Sequence, residues 1–144
     1  MSGVVLDRAI GSVLGKFSEI AAAWLFGSEA RGDARPDSDI DIALLFEKRG
    51  TTALEAYELL GRIAARLESV APGRSIDLVL IEHQGPIFQH RVLEEGRVVH
   101  DANVRRRVDF ESDAMVRFFD FEPVHRQVCQ HAKAGLESWL EAQR

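Results

Sequence analysis

The spacing of apolar and polar residues predicts a chain of alternating helices and strands. Apolar residues three or four positions apart predict an amphipathic helix over residues 4–17, whereas a continuous apolar run predicts a buried strand over residues 20–26. A second apolar run predicts a strand over residues 39–46, and Thr52 is placed to cap the helix that follows. The remaining predicted elements are a helical turn at 28–31, a strand at 75–81, a short helix from Gly85-Pro86 to about 94, an edge strand at 97–100, and helices at 103–119 and 123–142.

This order of elements favours one α/β domain over residues 1–144, in which helices flank a small mixed β-sheet (an α+β arrangement). The core is expected within residues 4–100, and a helical C-terminal part within 103–142. A net charge of -5 argues against direct binding to nucleic acid, because a phosphate backbone favours a basic surface. The sequence contains neither a membrane-spanning apolar run nor the pattern of a signal peptide, so we expect a cytoplasmic protein.

Three aspartates are predicted to share one face of the sheet. Because alternate side chains of a strand point the same way, Asp39 and Asp41 project from one face, roughly 6.7 Å apart at their bases. If the strand that contains Asp77 is a neighbour, Asp77 lies about 5 Å from one of the pair. Three carboxylates so close would repel one another unless cations lay between them. Two Mg²⁺ ions about 3.5–4 Å apart suit such a triangle.

The Asp-x-Asp pair also has a structural interpretation. In many proteins, two carboxylates at the end of a strand are solvated or cap a turn. For the Asp39-x-Asp41 pair taken alone, this structural interpretation is favoured. Asp77 favours the metal interpretation instead, because it interrupts an otherwise apolar strand, where a solvated face is harder to arrange.

The Gly-Ser turn before these aspartates is a candidate phosphate site. Gly27 allows a sharp turn and a close approach of a ligand to the backbone, and the N–H groups from Ser28 onward favour anions. The Ser28 hydroxyl adds a donor for a triphosphate oxygen. Arg31 is placed to reach the same phosphates, although pairing with Glu29, Asp33 or Asp37 is an equal alternative.

The order of these features resembles the polymerase-β-like nucleotidyltransferase superfamily. A strand, Gly27-Ser28, the pair Asp39-x-Asp41 and a later in-strand Asp77 follow that pattern. The fuller run from Gly27 to Gly32 and the segment 38–41 are similar to the minimal nucleotidyltransferase branch, which includes short antitoxins that partner HEPN-domain ribonuclease toxins. The resemblance is specific over residues 24–46, reasonable at Asp77 and looser elsewhere.

The resemblance implies a fold, a reaction and a partner. It implies that Asp39, Asp41 and Asp77 bind two Mg²⁺ ions, and that the Gly27-Ser28 turn binds the triphosphate of the ATP substrate. It also implies AMP transfer to a tyrosine of a cognate HEPN toxin, with Asp77 as the proton acceptor. Such a protein adenylyltransferase would form a hetero-oligomer with its toxin.

Two other functions stay open. A small-molecule enzyme that adenylylates an aminoglycoside-type hydroxyl usually carries an additional helical domain, for which this chain is short. A binding module that neutralises its partner by contact alone, with a vestigial nucleotide site, is compatible with the same residues.

Other residues in the C-terminal part receive simpler interpretations. Core packing is expected for Cys129 and for four aromatic residues, with a partner-docking surface as the alternative for the aromatic residues. The cluster Arg105–Arg107 is expected to be a solvated helix face, and contact with an acidic partner or RNA is its alternative. The four aromatic residues are Phe118, Phe119, Phe121 and Trp139.

Overall fold

The computed structural model describes residues 3–143 and recovers the predicted order of elements. Its bounds lie within a few residues of those expected from the sequence, apart from the C-terminal helix. The elements are α1 (Gly3–Leu14), β1 (Ile20–Phe26), α2 (Ser28–Arg31), β2 (Ile40–Phe46), α3 (Ala53–Leu67), β3 (Ile76–Leu80), a 3-10 turn (Ile81–His83), α4 (Pro86–Glu95), β4 (Arg97–Asp101) and α5 (Val104–Ala142).

The four strands form one mixed sheet in the order β3-β2-β1-β4. Strand β1 pairs antiparallel with β2 and β4, whereas β2 and β3 run parallel. Parallel neighbours require a crossover, and α3 supplies it. Helix α3 begins at a capping box in which Thr52 and Glu55 bond to each other's backbone, as the predicted cap requires. The expected mixed sheet flanked by helices is therefore confirmed.

Helices cover both faces of the sheet. On one face, Ile42 and Leu44 of β2 pack in a core with α1 and α3. On the other face, Ala43 and Leu45 pack in a second core with α4 and α5, to which Phe110 contributes. Because side chains alternate along β2, its hydrophobic residues serve both cores. Apolar surface on both sides accounts for the continuous hydrophobic runs in the sequence.

The C-terminal helix is longer than predicted. Two helices, at 103–119 and 123–142, are expected because a proline inside a helix removes one hydrogen bond and crowds the preceding turn. The structure instead has α5 continuing through Pro123 for 39 residues. The turns on either side contain neither glycine nor a second proline, so one lost bond does not end the helix. Neither α5 nor any other helix within residues 3–143 is long and apolar enough to cross a membrane.

The expectation of core packing at the C-terminal end is wrong for most of the residues concerned. Phe119, Phe121 and Trp139 are 62%, 39% and 59% exposed, and Cys129 is also exposed. Only Phe118 is half-buried, where its ring stacks on an imidazole of α4. The physical reason is that the second half of α5 extends beyond the sheet and the other helices, so no element within residues 3–143 covers it.

The arginine cluster Arg105–Arg107 is not a solvated face for two of its three members. Arg106 is buried, donates a hydrogen bond to a backbone carbonyl of β2 and lies 2.5 Å from Glu82. Arg107 lies 3.0 Å from Asp101 at the end of β4. These contacts fasten the start of α5 to the sheet, which sets the direction of the whole helix.

Candidate active site

The sheet register aligns two of the three candidate carboxylates. Asp41 on the central strand β2 lies between Phe26 of β1 and Asp77 of β3, each of which is its direct cross-strand partner. Direct partners point to the same face, and neighbouring strands are about 4.8 Å apart. Asp39 immediately precedes β2 and lies two residues before Asp41. The structure therefore brings the three aspartates to one end of one face.

These carboxylates lie where the helical cover of the sheet ends. Along β2, the side chains that share the face of Asp41 are Ala43 and Leu45, and both are buried under α4 and α5. At the Asp41 level that cover is missing: Asp39 and Asp77 are exposed, and Asp41 is half-buried. An open acidic end next to a packed apolar core offers room for a ligand without unfolding any element.

The surroundings of Asp41 disfavour the charged form of its carboxyl group. Burial raises the pKa of the Asp41 carboxyl above its ordinary value, and the nearby charges of Asp77 and Asp39 raise it further. The positive charge of Arg31 acts in the opposite direction on the same pKa. The site therefore has more negative charge than its own residues neutralise.

Gly27 is required by both backbone conformation and space. Its φ of 72° lies in the left-handed region that side chains disfavour. A β carbon at this position would stand 2.2 Å from Oδ2 of Asp41, far inside contact distance. The glycine thus gives the turn its shape and leaves room for the carboxylate beside it.

Ser28 begins the short helical turn α2, next to the carboxylates, as expected from the sequence. Gly32 ends the turn in the left-handed conformation, and its N–H donates to the Ser28 carbonyl. Arg31 is half-exposed, with its side chain 3.5 Å from Asp33 and 3.9 Å from Glu95. Of the three partners considered for Arg31 from sequence, the structure selects Asp33 and adds Glu95. Both contacts are at the surface and are therefore weak.

Two arginines that the sequence does not single out fasten this turn. Arg74 donates from Nε to the Ser38 carbonyl at 2.8 Å, and its guanidinium also lies 2.5 Å from a carboxylate oxygen of Glu29. Arg97 makes a two-pronged contact with Asp7 at 2.7 and 3.0 Å and donates to the Glu29 carbonyl at 3.2 Å. The hydrogen bonds to Asp7 raise the pKa of Arg97 above its ordinary value. Arg74 therefore ties the Gly-Ser turn to the loop that presents the aspartates.

The donor set fits a hard divalent cation bound jointly with a phosphate ligand. Within residues 3–143, no group of three His, Cys, Asp or Glu side chains is arranged so that it could hold a metal ion. Mg²⁺ is usually held by one or two carboxylates together with waters and substrate phosphates, so a complete protein cage is not needed. The excess negative charge at Asp41 is what a cation there would relieve.

Comparison with known protein families gives one match that covers most of the chain. The family model described as "Polymerase beta, Nucleotidyltransferase" matches residues 8–105, which include β1, β2, β3 and the three aspartates. No curated protein matches the sequence.

Comparison with solved structures gives similar folds. A structure described as a minimal nucleotidyltransferase is 31% identical, with a TM-score of 0.53, over 67% of this chain and 95% of the other. A toxin–antitoxin complex with AMP-PNP matches at 18% identity and a TM-score of 0.56, over 93% and 98% of the two chains. A complex of a tri-AMPylated Shewanella oneidensis HEPN toxin with an MNT antitoxin matches at 16% identity and a TM-score of 0.54, over 96% and 99%. The last two similarities show a shared fold.

Proposed function

Because the chain belongs to the polymerase beta nucleotidyltransferase family, we propose that it transfers AMP from ATP to a hydroxyl group of a protein partner. The observation that carries this proposal is the direct pairing of Asp41 with Asp77 beside the Gly27-Ser28 turn. That pairing supports the proposal, because it brings two candidate metal ligands next to a turn suited to a triphosphate.

Each residue has a role in the proposed reaction. Asp39, Asp41 and Asp77 would hold two Mg²⁺ ions, which neutralise charge on the triphosphate and on the departing pyrophosphate. The Ser28 hydroxyl and the backbone at Gly27 bind the triphosphate, and Arg31 makes a further phosphate contact from one helical turn away.

The chemistry is an in-line displacement at the α-phosphorus of ATP. The acceptor hydroxyl oxygen bonds to the α-phosphorus, the bond from that phosphorus to the bridging oxygen breaks, and pyrophosphate leaves. Asp77 takes the hydroxyl proton, a role that its exposure to solvent on the outer strand β3 supports.

The proposed partner is a HEPN-domain toxin, and the proposed acceptor is one of its tyrosines. Support comes from proteins of similar fold that were crystallised as toxin–antitoxin complexes, one with AMP-PNP and one with a tri-AMPylated HEPN toxin. The open carboxylate end of the sheet agrees with this, because an acceptor on a second protein needs direct access. The chain would act as the antitoxin.

Intact-mass measurement tests the proposal. The chain is mixed with ATP, Mg²⁺ and the protein encoded by the adjacent gene, and the partner is expected to gain the mass of one or more AMP groups on tyrosine. Asp39→Ala, Asp41→Ala and Asp77→Asn variants should lose most transfer, whereas Asp37→Asn in the exposed loop should retain it.

Three other results would contradict the proposal. Inhibition of the partner without any gain in mass would indicate a contact-only antitoxin. Modification of an aminoglycoside in place of the partner would indicate a small-molecule nucleotidyltransferase. Normal transfer by the Asp41→Ala variant would exclude the proposed metal site.

A further inference from the structure

The second half of α5 is an exposed helix with large apolar side chains. Every residue from 123 to 143 is exposed, and Val128, Leu136 and Trp139 are 60%, 57% and 59% accessible to solvent. Just before this segment, the ring of Phe118 stacks on that of His90 in α4, with 3.6 Å between the ring centroids. Single exposed apolar residues need no explanation, but a row of them along one helix does.

Most apolar side chains of this segment lie on one side of the helix, and Pro123, Ala134 and Leu140 lie outside it. With 3.6 residues per turn, ten residues between Phe121 and Ala142 fall within an arc of roughly 140°. None of the ten is Asp, Glu, Lys or Arg, and the five such residues of the segment lie outside the arc. We call this arc the α5 apolar face: Phe121, Val124, His125, Val128, Cys129, Ala132, Gly135, Leu136, Trp139 and Ala142.

The α5 apolar face continues the face by which the helix packs on the rest of the molecule. Phe110 and Ala114 lie on the same side of α5 and are buried in the core between α4, α5 and the sheet. That core covers the same sheet face on which Asp41 and Asp77 lie. A protein that covered the exposed part of the face would therefore lie on the carboxylate side of the sheet.

The size and the flanks of the face indicate what covers it. If two copies of α5 paired as a coiled coil, the apolar seam would be narrow and would have charged residues along both borders. The α5 apolar face is wider than such a seam. Its border formed by Gln127, His131 and Ser138 has no Asp, Glu, Lys or Arg. A 22-residue segment is roughly 33 Å long, so the arc presents on the order of 400 Å². A stable interface buries roughly 800 Å² on each partner. A single helix of an occupant is therefore too little, and an occupant that also contacts the adjacent part of the molecule is required.

We propose that the α5 apolar face is the docking surface for an all-helical protein partner, at least two of whose helices flank α5. The proposal rests on the proposed function for the identity of that partner. An apolar groove between the partner's helices takes the ring of Trp139 at one end and that of Phe121 at the other. Between the two rings, the small residues Ala132 and Gly135 let the partner's helices approach α5 closely. Docking there puts the partner on the same side of the sheet as Asp41 and Asp77.

The test is a binding measurement with a matched pair of double variants. Val128→Glu with Leu136→Glu puts two charges on the apolar face, and Gln130→Glu with Ser138→Glu adds the same charge at the same spacing off the face. All four positions are exposed on α5, so neither double variant disturbs the core. The probe is the helical protein encoded by the adjacent gene, and affinity is measured by calorimetry with the full-length chain.

We expect the Val128–Leu136 variant to lose at least 100-fold in affinity for the probe and the Gln130–Ser138 variant to lose less than threefold. Equal affinities of the two variants, or no binding by the unmodified chain, would overturn the docking surface. Self-association of the unmodified chain that only the Val128–Leu136 variant abolishes would overturn it in favour of a second copy. If the binding result is as expected but the probe gains no AMP, the docking surface stands and the proposed transfer fails.

Discussion

The carboxylate of Asp41 lies in the space that a side chain at position 27 would need. A β carbon on Gly27 would stand 2.2 Å from Oδ2 of Asp41, and the glycine has a φ of 72°. The absence of a side chain at position 27 is therefore what leaves room for the carboxylate of Asp41. This relationship explains why the turn and the Asp-x-Asp pair occur together in a structure where ten residues separate Ser28 from Asp39.

Gly27→Ala is predicted to damage the site more than the fold. Backbone strain and displacement of Asp41 should cost about 1–3 kcal/mol in the free energy of unfolding. A displaced carboxylate should lower AMP transfer by roughly 100-fold. Gly32→Ala is the matched control, because Gly32 also has a positive φ of 79° but a β carbon added there would meet no heavy atom within 4 Å. Equal losses of transfer in the two variants would show that the contact with Asp41 is unimportant.

Asp41→Asn is predicted to stabilise the metal-free protein while it removes activity. Burial, Asp77 and Asp39 raise the pKa of Asp41 above 3.8, so the folded state holds this proton more tightly than the unfolded state. The free energy of unfolding should therefore fall as the pH rises from about 4 through the raised pKa. The variant, which has no charge to bury, should lack this fall and melt a few degrees higher at neutral pH.

Thermal unfolding in EDTA between pH 4 and pH 8 measures this difference. Asp37→Asn, in the exposed loop before the pair, serves as the control and should follow the unmodified chain. A melting temperature for Asp41→Asn that is unchanged at every pH would contradict the charge repulsion inferred for the site.

Arg74→Ala is predicted to loosen the connection between the Gly-Ser turn and the loop before Asp39. The side chain of Arg74 is only 17% exposed and contacts both Glu29 and the Ser38 carbonyl, so its loss should cost about 1–3 kcal/mol. The KM for ATP should rise by roughly 10-fold or more, because both halves of the nucleotide site become less fixed. Arg74→Lys should restore part of the affinity, and Arg66→Ala on the exposed side of α3 should have no effect. If the KM of Arg74→Ala for ATP is unchanged, Arg74 contributes to the stability of the fold and not to nucleotide binding.

Local patterns in the sequence were sufficient to predict the sheet and the candidate aspartates. The apolar runs of β1 and β2 are continuous because both faces of these strands are buried, and Asp77 stands out within the strand that follows α3. Its placement opposite Asp41 depends on parallel pairing, which the helix between β2 and β3 makes the natural arrangement.

Contacts between distant residues could not be predicted in the same way. Arg97 and Asp7 lie 90 positions apart, and Arg74 and Ser38 lie 36 apart, with no local pattern that links them. The periodicity of α5 places most of its large apolar residues on one side of the helix. It could not distinguish a face that packs inside the chain from one left exposed, because both need the same spacing of apolar residues.

A count of bound metal ions shows whether Asp39, Asp41 and Asp77 together bind divalent metal with the nucleotide. Bound Mn²⁺ is counted by electron paramagnetic resonance in the presence of AMP-PNP, for the unmodified chain, Asp77→Asn and the control Asp37→Asn. We expect about two ions per chain for the unmodified chain and the control. For Asp77→Asn we expect loss of an ion, or affinity weaker by roughly 10-fold or more. If Asp77→Asn binds the same number of ions with the same affinity, Asp77 is not a metal ligand and the proposed site is wrong.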